Sequence, residues 1–467
     1  MNPPTPHAGF PGAIWPAVPR APAAAFLAVL EQLARSQFLD VEDLEAARLP
    51  QIVALVQQAS RAFPFWKRRF SKIGLGPDAI DRGNLDLKTW QSRWAGLPVL
   101  TRAEVQTLGD ELRTTLLPAG HGNISESVTS GSSGRPVRFV RTTLDLFYLH
   151  AFQLREHMWR RRNLFGKFLS IVRDEERKGP AEGLHLRRMD NWGPPVSVVW
   201  PTGPFILVDY RASVSALIDA IREHAPDYLC SFPSLLCEIA RQVRDSGIQV
   251  PPLSEVIGMG EASPPELADL CREVWGASYT STYSAAECGA IAYECPEAGR
   301  WHIQSERSVV EVLDAENQPC KPGESGRVVL TPLHNFAMPL FRYEIGDLAT
   351  VGEGRCPCGR KLPMLAAIPG RARDLLMLPS GEFRPPYYGH GAVMKVRAIR
   401  QHQVVQTSPG QICFRLAVAR PLTAQEEQHI IQHASASLGN GISVRIEYVP
   451  EILRRPSGKF AEFERTF

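Results

Sequence analysis

The 467 residues carry a formal charge of +3, with 44% apolar and 22% charged side chains, the balance of a globular protein large enough for more than one core. So small an excess charge carries no nucleic-acid footprint, and no apolar run approaches the ~20 residues of a membrane span. The nine cysteines, an odd number scattered from Cys230 to Cys413, make no disulfide framework and fit a reducing cytoplasm.

The first twenty residues lack a basic segment ahead of an apolar one and are broken by prolines, so they read as an extended strap rather than a signal peptide. Ala23–Leu33 begins a helix. The stretch "SVTSGSSGRPVRF" follows at Ser127–Phe139. Between Thr129 and Pro136 it holds two glycines, four hydroxyl side chains and one arginine. Such a loop offers N–H groups and hydroxyls to an anion without steric obstruction. It lacks the G-K-[ST] ending of a P-loop, and taken alone its composition is equally that of a linker. The basic run Arg160–Arg162 reads as a solvated helix face in preference to a phosphate contact.

From Ser213 strands and helices alternate. Val214, Leu217, Ile218 and Ile221 share a helical face, Tyr228–Phe232 reads as a strand, and Ser234–Asp245 is helical by spacing. "VIGMG" (Val256–Gly260) is again a strand. Ser263 and Glu266 stand at capping-box spacing before a helix with Leu267, Leu270, Val274 and Trp275 inward, closed by Gly276. This alternation predicts a parallel sheet covered by helices, with ligands beyond the carboxyl ends of its strands. The last ninety or so residues differ. "HQVVQ" and "ICFRLAV" form a hairpin, Thr423 and Glu426 make a second capping box, the helix runs to Leu438, and Ile442–Val449 is a strand. The expected fold class is α/β: a large domain over residues 1–372 and a small self-contained α+β domain over residues 373–467.

Five segments then occur in order: the hydroxyl loop, "YSAAE" (Tyr283–Glu287), "FRYEIGDLA" (Phe341–Ala349), "GRARD" (Gly370–Asp374) and "RRPSGKF" (Arg454–Phe460). Together they resemble the adenylate-forming superfamily of acyl-CoA synthetases, adenylation domains and luciferase, and within it the phenylacetate–CoA ligase branch. The resemblance implies that Thr129, Ser130, Gly131, Ser132, Ser133, Gly134 and Arg135 close over the phosphates of ATP. It implies that Gly260, Glu261 and Ala262 lie beside adenine and Tyr283 against its ring. Glu287 would hold Mg²⁺, Asp347 and Arg371 would contact the ribose, and Lys459 would bridge the carboxylate and the α-phosphate. Arg373 falls at the hinge about which the small domain turns between half-reactions. Ala286 stands where the family commonly has Thr or Ser, and Arg135 where it commonly has Lys, which exchanges a point charge for a planar fork.

The resemblance also implies an acyl pocket at Phe232, Pro233 and Ser234, with Ala285 and Gly289 behind; Phe232 reads equally well as sheet core. Cys295, His302, Cys356 and Cys358 supply three thiols and an imidazole, a donor set suited to structural zinc. The implied activity is that of an AMP-forming acid–thiol ligase: a carboxylic acid, of aryl or heteroaryl type by likeness, is activated by ATP and passed to CoA. Transfer to a carrier protein or a non-thiol acceptor is the alternative, and a non-catalytic nucleotide-binding homologue a third reading. No nucleic-acid or membrane partner is implied, and oligomeric state is left open.

Overall fold

The computed structural model describes residues 5–9, 16–76, 86–128, 137–174, 176, 183–371, 375–381, 383–384, 386, 388, 393–438, 441–455 and 458–467. The chain divides into two compact units. One comprises Met1–Phe165, Asn191–Gly203 and Thr282–Ile368; the other comprises Gly166–Asp190, Pro204–Ser281 and Pro369–Phe467.

The first unit opens with helices α1 (Ala21–Ser36), α2 (Val41–Ala62), α3 (Pro64–Lys72), α4 (Leu87–Ala95) and α5 (Arg102–Leu108). Their aromatic residues make its main core. Trp66 and Phe70 meet Phe341 edge-on at 4.8 and 4.9 Å, and Trp90 stacks on Trp94 at 5.6 Å. Quadrupolar rings favour these geometries and add to the area they bury. A hairpin of β1 (Ile124–Val128) and β2 (Arg138–Thr142) leads into α6 (Thr143–Arg160), which Thr142 caps by accepting from the Asp145 amide at 3.1 Å. In the basic run, Arg162 is buried and paired with Glu156 at 2.7 Å, and Arg160 donates to the Glu294 carbonyl at 3.0 Å. Arg161 alone of the run is exposed, so the expected solvated face forms only at that residue.

In the second unit, β3 (Phe168–Val172) pairs in parallel with β5 (Phe205–Asp209) and with β6 (Tyr228–Ser231), while β4 (Leu186–Met189) lies antiparallel at the edge. Next come β7 (Glu255–Gly258) and the first half of β8 (Ser278–Ala285), both parallel. Helices α7 (Val214–His224), α8 (Pro233–Ser246) and α9 (Leu267–Trp275) cover this sheet. Leu217, Ile218 and Ile221 of the predicted face are buried, packed with Leu236, Ile239 and Val256. The alternation predicted from sequence is therefore present. One detail differs: Ser263 Oγ shares a hydrogen bond with the Tyr279 hydroxyl at 2.6 Å and Glu266 pairs with Arg241, so these two residues do not close a capping box.

The second half of β8 begins the first unit's sheet. β9 (Gly289–Glu294), β10 (Trp301–Ile303), β11 (Ser308–Leu313), β12 (Ser325–Pro332), β13 (Tyr343–Val351) and β14 (Met364–Arg371) follow, in the spatial order β8-β9-β10-β14-β13-β12-β11. The pairs β8–β9, β9–β10, β10–β14, β11–β12 and β12–β13 are antiparallel, an arrangement that the strand–helix pattern did not reveal.

The end of the second unit holds the small two-stranded pair β15 (Leu376–Met377) and β16 (Phe383–Arg384). After it come the hairpin β17 (Ile399–Ser408) and β18 (Gln411–Val418), helix α10 (Ala424–Leu438), and strands β19 (Ser443–Tyr448) and β20 (Phe463–Arg465). The sheet order is β19-β18-β17-β20. Thr423 and Glu426 do form the expected capping box: each side chain accepts the other's backbone N–H, at 3.2 and 2.8 Å.

Candidate active site

In the first unit the site residues gather on the β8–β9 hairpin. Tyr283 is buried, and its hydroxyl donates to Asp347 Oδ2 on β13 at 3.0 Å. Glu287 sits in the turn between Ala285 and Gly289 and is 8% exposed. The turn is braced from beneath. Arg307 donates through Nε to the Cys288 carbonyl at 2.9 Å, and its guanidinium lies 2.7 Å from Asp145, with Arg141 at 3.8 Å from the same carboxylate. Burial pushes the Cys288 thiol up to about 12, against the pull of Arg307 and Arg141. Gly289 has φ of +76°, and a Cβ there would stand 3.0 Å from Leu149, so the space beside it is filled by α6.

In the second unit the candidates lie at the carboxyl edge of the parallel sheet. Phe232 precedes α8, Pro233 opens that helix, and Gly260 and Glu261 follow β7, with Ala262 exposed. Lys459 comes to this edge: its Cε lies 3.4 Å and its Nζ 3.8 Å from the point where a Cβ on Gly260 would stand. The left-handed φ of +79° at Gly260 favours a residue without a side chain, and a Cβ there would sit in van der Waals contact with the lysine. Gly458 meets the same requirement, since a Cβ there would be 2.8–2.9 Å from the rings of Phe232 and Tyr210. Glu261 accepts from the Ser234 amide at 3.1 Å and its hydroxyl at 2.6 Å, and also from the Phe460 amide. Arg454 donates to Ser234 Oγ at 2.7 Å and lies 3.6 Å from Glu261. Phe232 is buried and meets Tyr210 edge-on at 5.8 Å, so at this position it is packed.

Thr129, Ser130, Gly131, Ser132, Ser133, Gly134 and Arg135, and likewise Arg373, lie outside the described residues. For the loop, the flanking backbone is described: Val128 pairs with Arg138 across the hairpin. Arg371 is described as the last backbone position of β14.

Cys295, His302, Cys356 and Cys358 converge in the first unit, with their four donor atoms within 4.8 Å of one another. Cys295 and Cys356 have sulfurs 3.5 Å apart, and Cys358 Sγ is 3.3 Å from His302 Nε2. Tetrahedral zinc with bonds of about 2.3 Å to sulfur spaces its ligands by roughly 3.8 Å, so the cluster fits the ion. His302 Nδ1 lies 3.4 Å from the Leu362 carbonyl, a partner that leaves Nε2 to face the thiols. Burial holds this imidazole neutral, down to about 4.

Sequence reasoning missed Asp145, Arg141 and Arg307, for which no local pattern exists. It also missed Arg454 and Phe460, which lie inside the quoted "RRPSGKF" and flank the lysine as a cation and an aromatic ring.

Against known proteins, a family described as the CapK C-terminal domain matches residues 390–463. Phenylacetate-coenzyme A ligase of Thermus thermophilus is 25% identical over 220 residues, 45% of this chain and 49% of the relative. The enzyme of the same name from Pseudomonas putida is 25% identical over 169 residues, 34% and 37% of the two chains. The chain thus spans about half or less of the length of these curated relatives. Among solved structures, 2-hydroxyisobutyryl-CoA ligase in the postadenylation state with 2-HIB-AMP superposes with a TM-score of 0.70 at 19% identity, covering 92% of this chain and 91% of that one. The anthranilate CoA ligase AuaEII with anthranoyl-AMP gives 0.51 at 16% identity, covering 73% and 66%.

The fold is that of these solved acyl-CoA ligases. Within that class the curated sequence relatives are phenylacetate–CoA ligases, the branch that the motifs resemble.

Proposed function

We propose that the protein activates a carboxylic acid, of aryl or heteroaryl type, with ATP and transfers the acyl group to a thiol, that of CoA. The observation that most supports this reading is the approach of Lys459 to Gly260 at the carboxyl edge of the parallel sheet. Two motif residues some two hundred positions apart meet where such sheets bind ligands.

A carboxylate oxygen forms a bond to the α-phosphorus, and the bond to pyrophosphate breaks with its electron pair leaving on pyrophosphate. The obstacle is bringing two anions together, and the Lys459 ammonium offsets that repulsion. Thr129–Arg135 cradle the phosphates, Tyr283 with Gly260, Glu261 and Ala262 flanks the adenine, and Asp347 and Arg371 hold the ribose. Phe232, Pro233, Ser234, Ala285 and Gly289 form the acyl wall. Glu287 supplies a hard oxygen suited to Mg²⁺, which neutralises departing phosphate charge when bound. In the second half-reaction the thiol sulfur attacks the acyl carbon, loses its proton, and AMP leaves. Residues 373–467 act as the lid, turning about Arg373 between the steps.

Cys295, His302, Cys356 and Cys358 would hold zinc as a structural ion, since four protein ligands leave no open position for substrate. Among the described residues no helix is long and apolar enough to cross a membrane, and nine cysteines outside any disulfide suit the cytoplasm.

The test is a panel of acids, with mass detection of acyl-AMP and acid-dependent pyrophosphate exchange, followed by addition of CoA or a carrier protein. Acyl-AMP with one or more aryl acids and thioester with CoA is the expected result; no acid-dependent AMP from any acid sinks the reading. Lys459→Ala should lower adenylation by about 10²–10³-fold and still convert supplied acyl-adenylate to thioester.

A further inference from the structure

We infer that Glu261 is a positioning residue: its carboxylate is the dock that seats the Lys459 loop for adenylation. The inference rests on the ligase reading above and gives Glu261 a task beyond flanking the adenine. The carboxylate side chain is 7% exposed, so its partners, not water, satisfy it. One oxygen accepts the Ser234 amide and hydroxyl at the start of α8; the other accepts the amide of Phe460, the residue after Lys459. Glu261 therefore joins the rigid end of a helix directly to the backbone beside the reactive ammonium.

The rest of the loop is arranged around that joint. Arg454 reaches Ser234 Oγ at 2.7 Å and the Gly458 carbonyl at 3.3 Å, and stands 3.8 Å from Glu238. Arg455 donates its amide to the Lys459 carbonyl at 3.0 Å, closing the turn on itself. Gly458 lies on the rings of Phe232 and Tyr210. A charge-assisted acceptor one residue from the lysine fixes the ammonium more tightly than contacts along a flexible side chain could, and catalysis by charge placement loses about a hundredfold for a displacement near 1 Å.

The experiment compares wild type, Glu261→Ala and Glu261→Gln in the two half-reactions separately, with hydrogen exchange over residues 458–462 and thermal melting. Glu261→Ala should lower acid-dependent pyrophosphate exchange about 10²-fold, lower thioester formation from supplied acyl-adenylate by a clearly smaller factor, and remove protection from residues 458–462. Glu261→Gln keeps one acceptor oxygen and with it the start of α8, so it should fold and lose about tenfold. Equal loss of both half-reactions, or loss of neither, overturns the positioning role. Unchanged protection in both folded variants overturns the dock itself. A wild type that activates no acid, with protection still lost in Glu261→Ala, overturns the ligase reading and leaves the docking supported.

Discussion

Arg307 has no exposed surface, and its guanidinium lies 2.7 Å from Asp145, which has none either. The approach is close but off the line of a hydrogen bond, so the attraction is one of charge. A buried pair adds little net stability while both partners are present, because each was desolvated to form it. Removing one partner strands the other. Asp145→Ala should therefore cost about 3–5 kcal/mol in chemical denaturation, and a loss near that of a surface substitution would show that water reaches Arg307. The same arginine holds the Cys288 carbonyl, next to Glu287, so disturbance here reaches the proposed magnesium ligand through one peptide bond. None of this was legible in the sequence. The residues that carry chemistry announce themselves by motif, whereas a buried arginine and its acid are chosen by a distant fold and leave no spacing to read.

At the scale of elements, two capping-box patterns of equal quality had different fates. Thr423–Glu426 stands at an exposed helix start where Arg420 also pairs with Glu426 at 2.7 Å, a partner compatible with the box, and the local hydrogen bonds form. Ser263–Glu266 stands beside Tyr279 and Arg241, and these tertiary partners take both side chains. A third box, Thr101–Glu104 at the start of α5, is present although its sequence passed unnoticed, because only seven helical residues follow it. Thr423→Ala should lower stability by about 1 kcal/mol. The Glu426 carboxyl is held down to about 2, first by Arg420 and then by the Thr423 amide. Its folded value lies below the unfolded one, so its contribution is complete above about pH 4.5 and fades as the pH falls toward 2.

The thiol–imidazole cluster belongs to this scale too, since it ties the end of β9 and strand β10 to the loop before β14. Cys356→Ser should lower bound zinc well below one ion per chain by elemental analysis, with a fall in melting temperature; full zinc occupancy in the variant would remove Cys356 from the ligand set. The four residues could be picked out in the sequence by their chemistry, but only folding brings the two halves within bonding distance. The parallel sheet of the second unit was legible because its strands alternate with helices of clear period. The antiparallel sheet of the first unit was not, because its strands are joined by turns rather than by helices and carry mixed burial patterns.

For the molecule as a whole, desolvated imidazoles contribute to the response to acid. Desolvation holds His157 down to about 4, helped by the neighbouring Arg162, whose guanidinium faces Nδ1 at 3.1 Å; His334, stacked on Tyr148 at 3.7 Å, is held well below its usual value. As pH falls through about 6.5 the unfolded chain takes up protons that the native chain refuses, so stability declines from there toward pH 4. Glu238 and Glu311 are raised by burial and act in the opposite sense. Comparing wild type with His157→Gln separates the two: the variant should lose less stability between pH 7 and pH 5, and an unchanged slope would assign the acid sensitivity elsewhere.

Strand β20 carries a consequence for synthesis. Phe463–Arg465 returns to lie parallel to Val404–Gln406, so the outer side of β17 gains its neighbour only after some sixty further residues have been translated. Throughout that interval a nascent chain presents a bare row of amides and carbonyls, ready to recruit a strand from another polypeptide. Slow elongation over this region should therefore raise the share of chains that clump before release, and a holdase chaperone that shields the exposed edge should recover them.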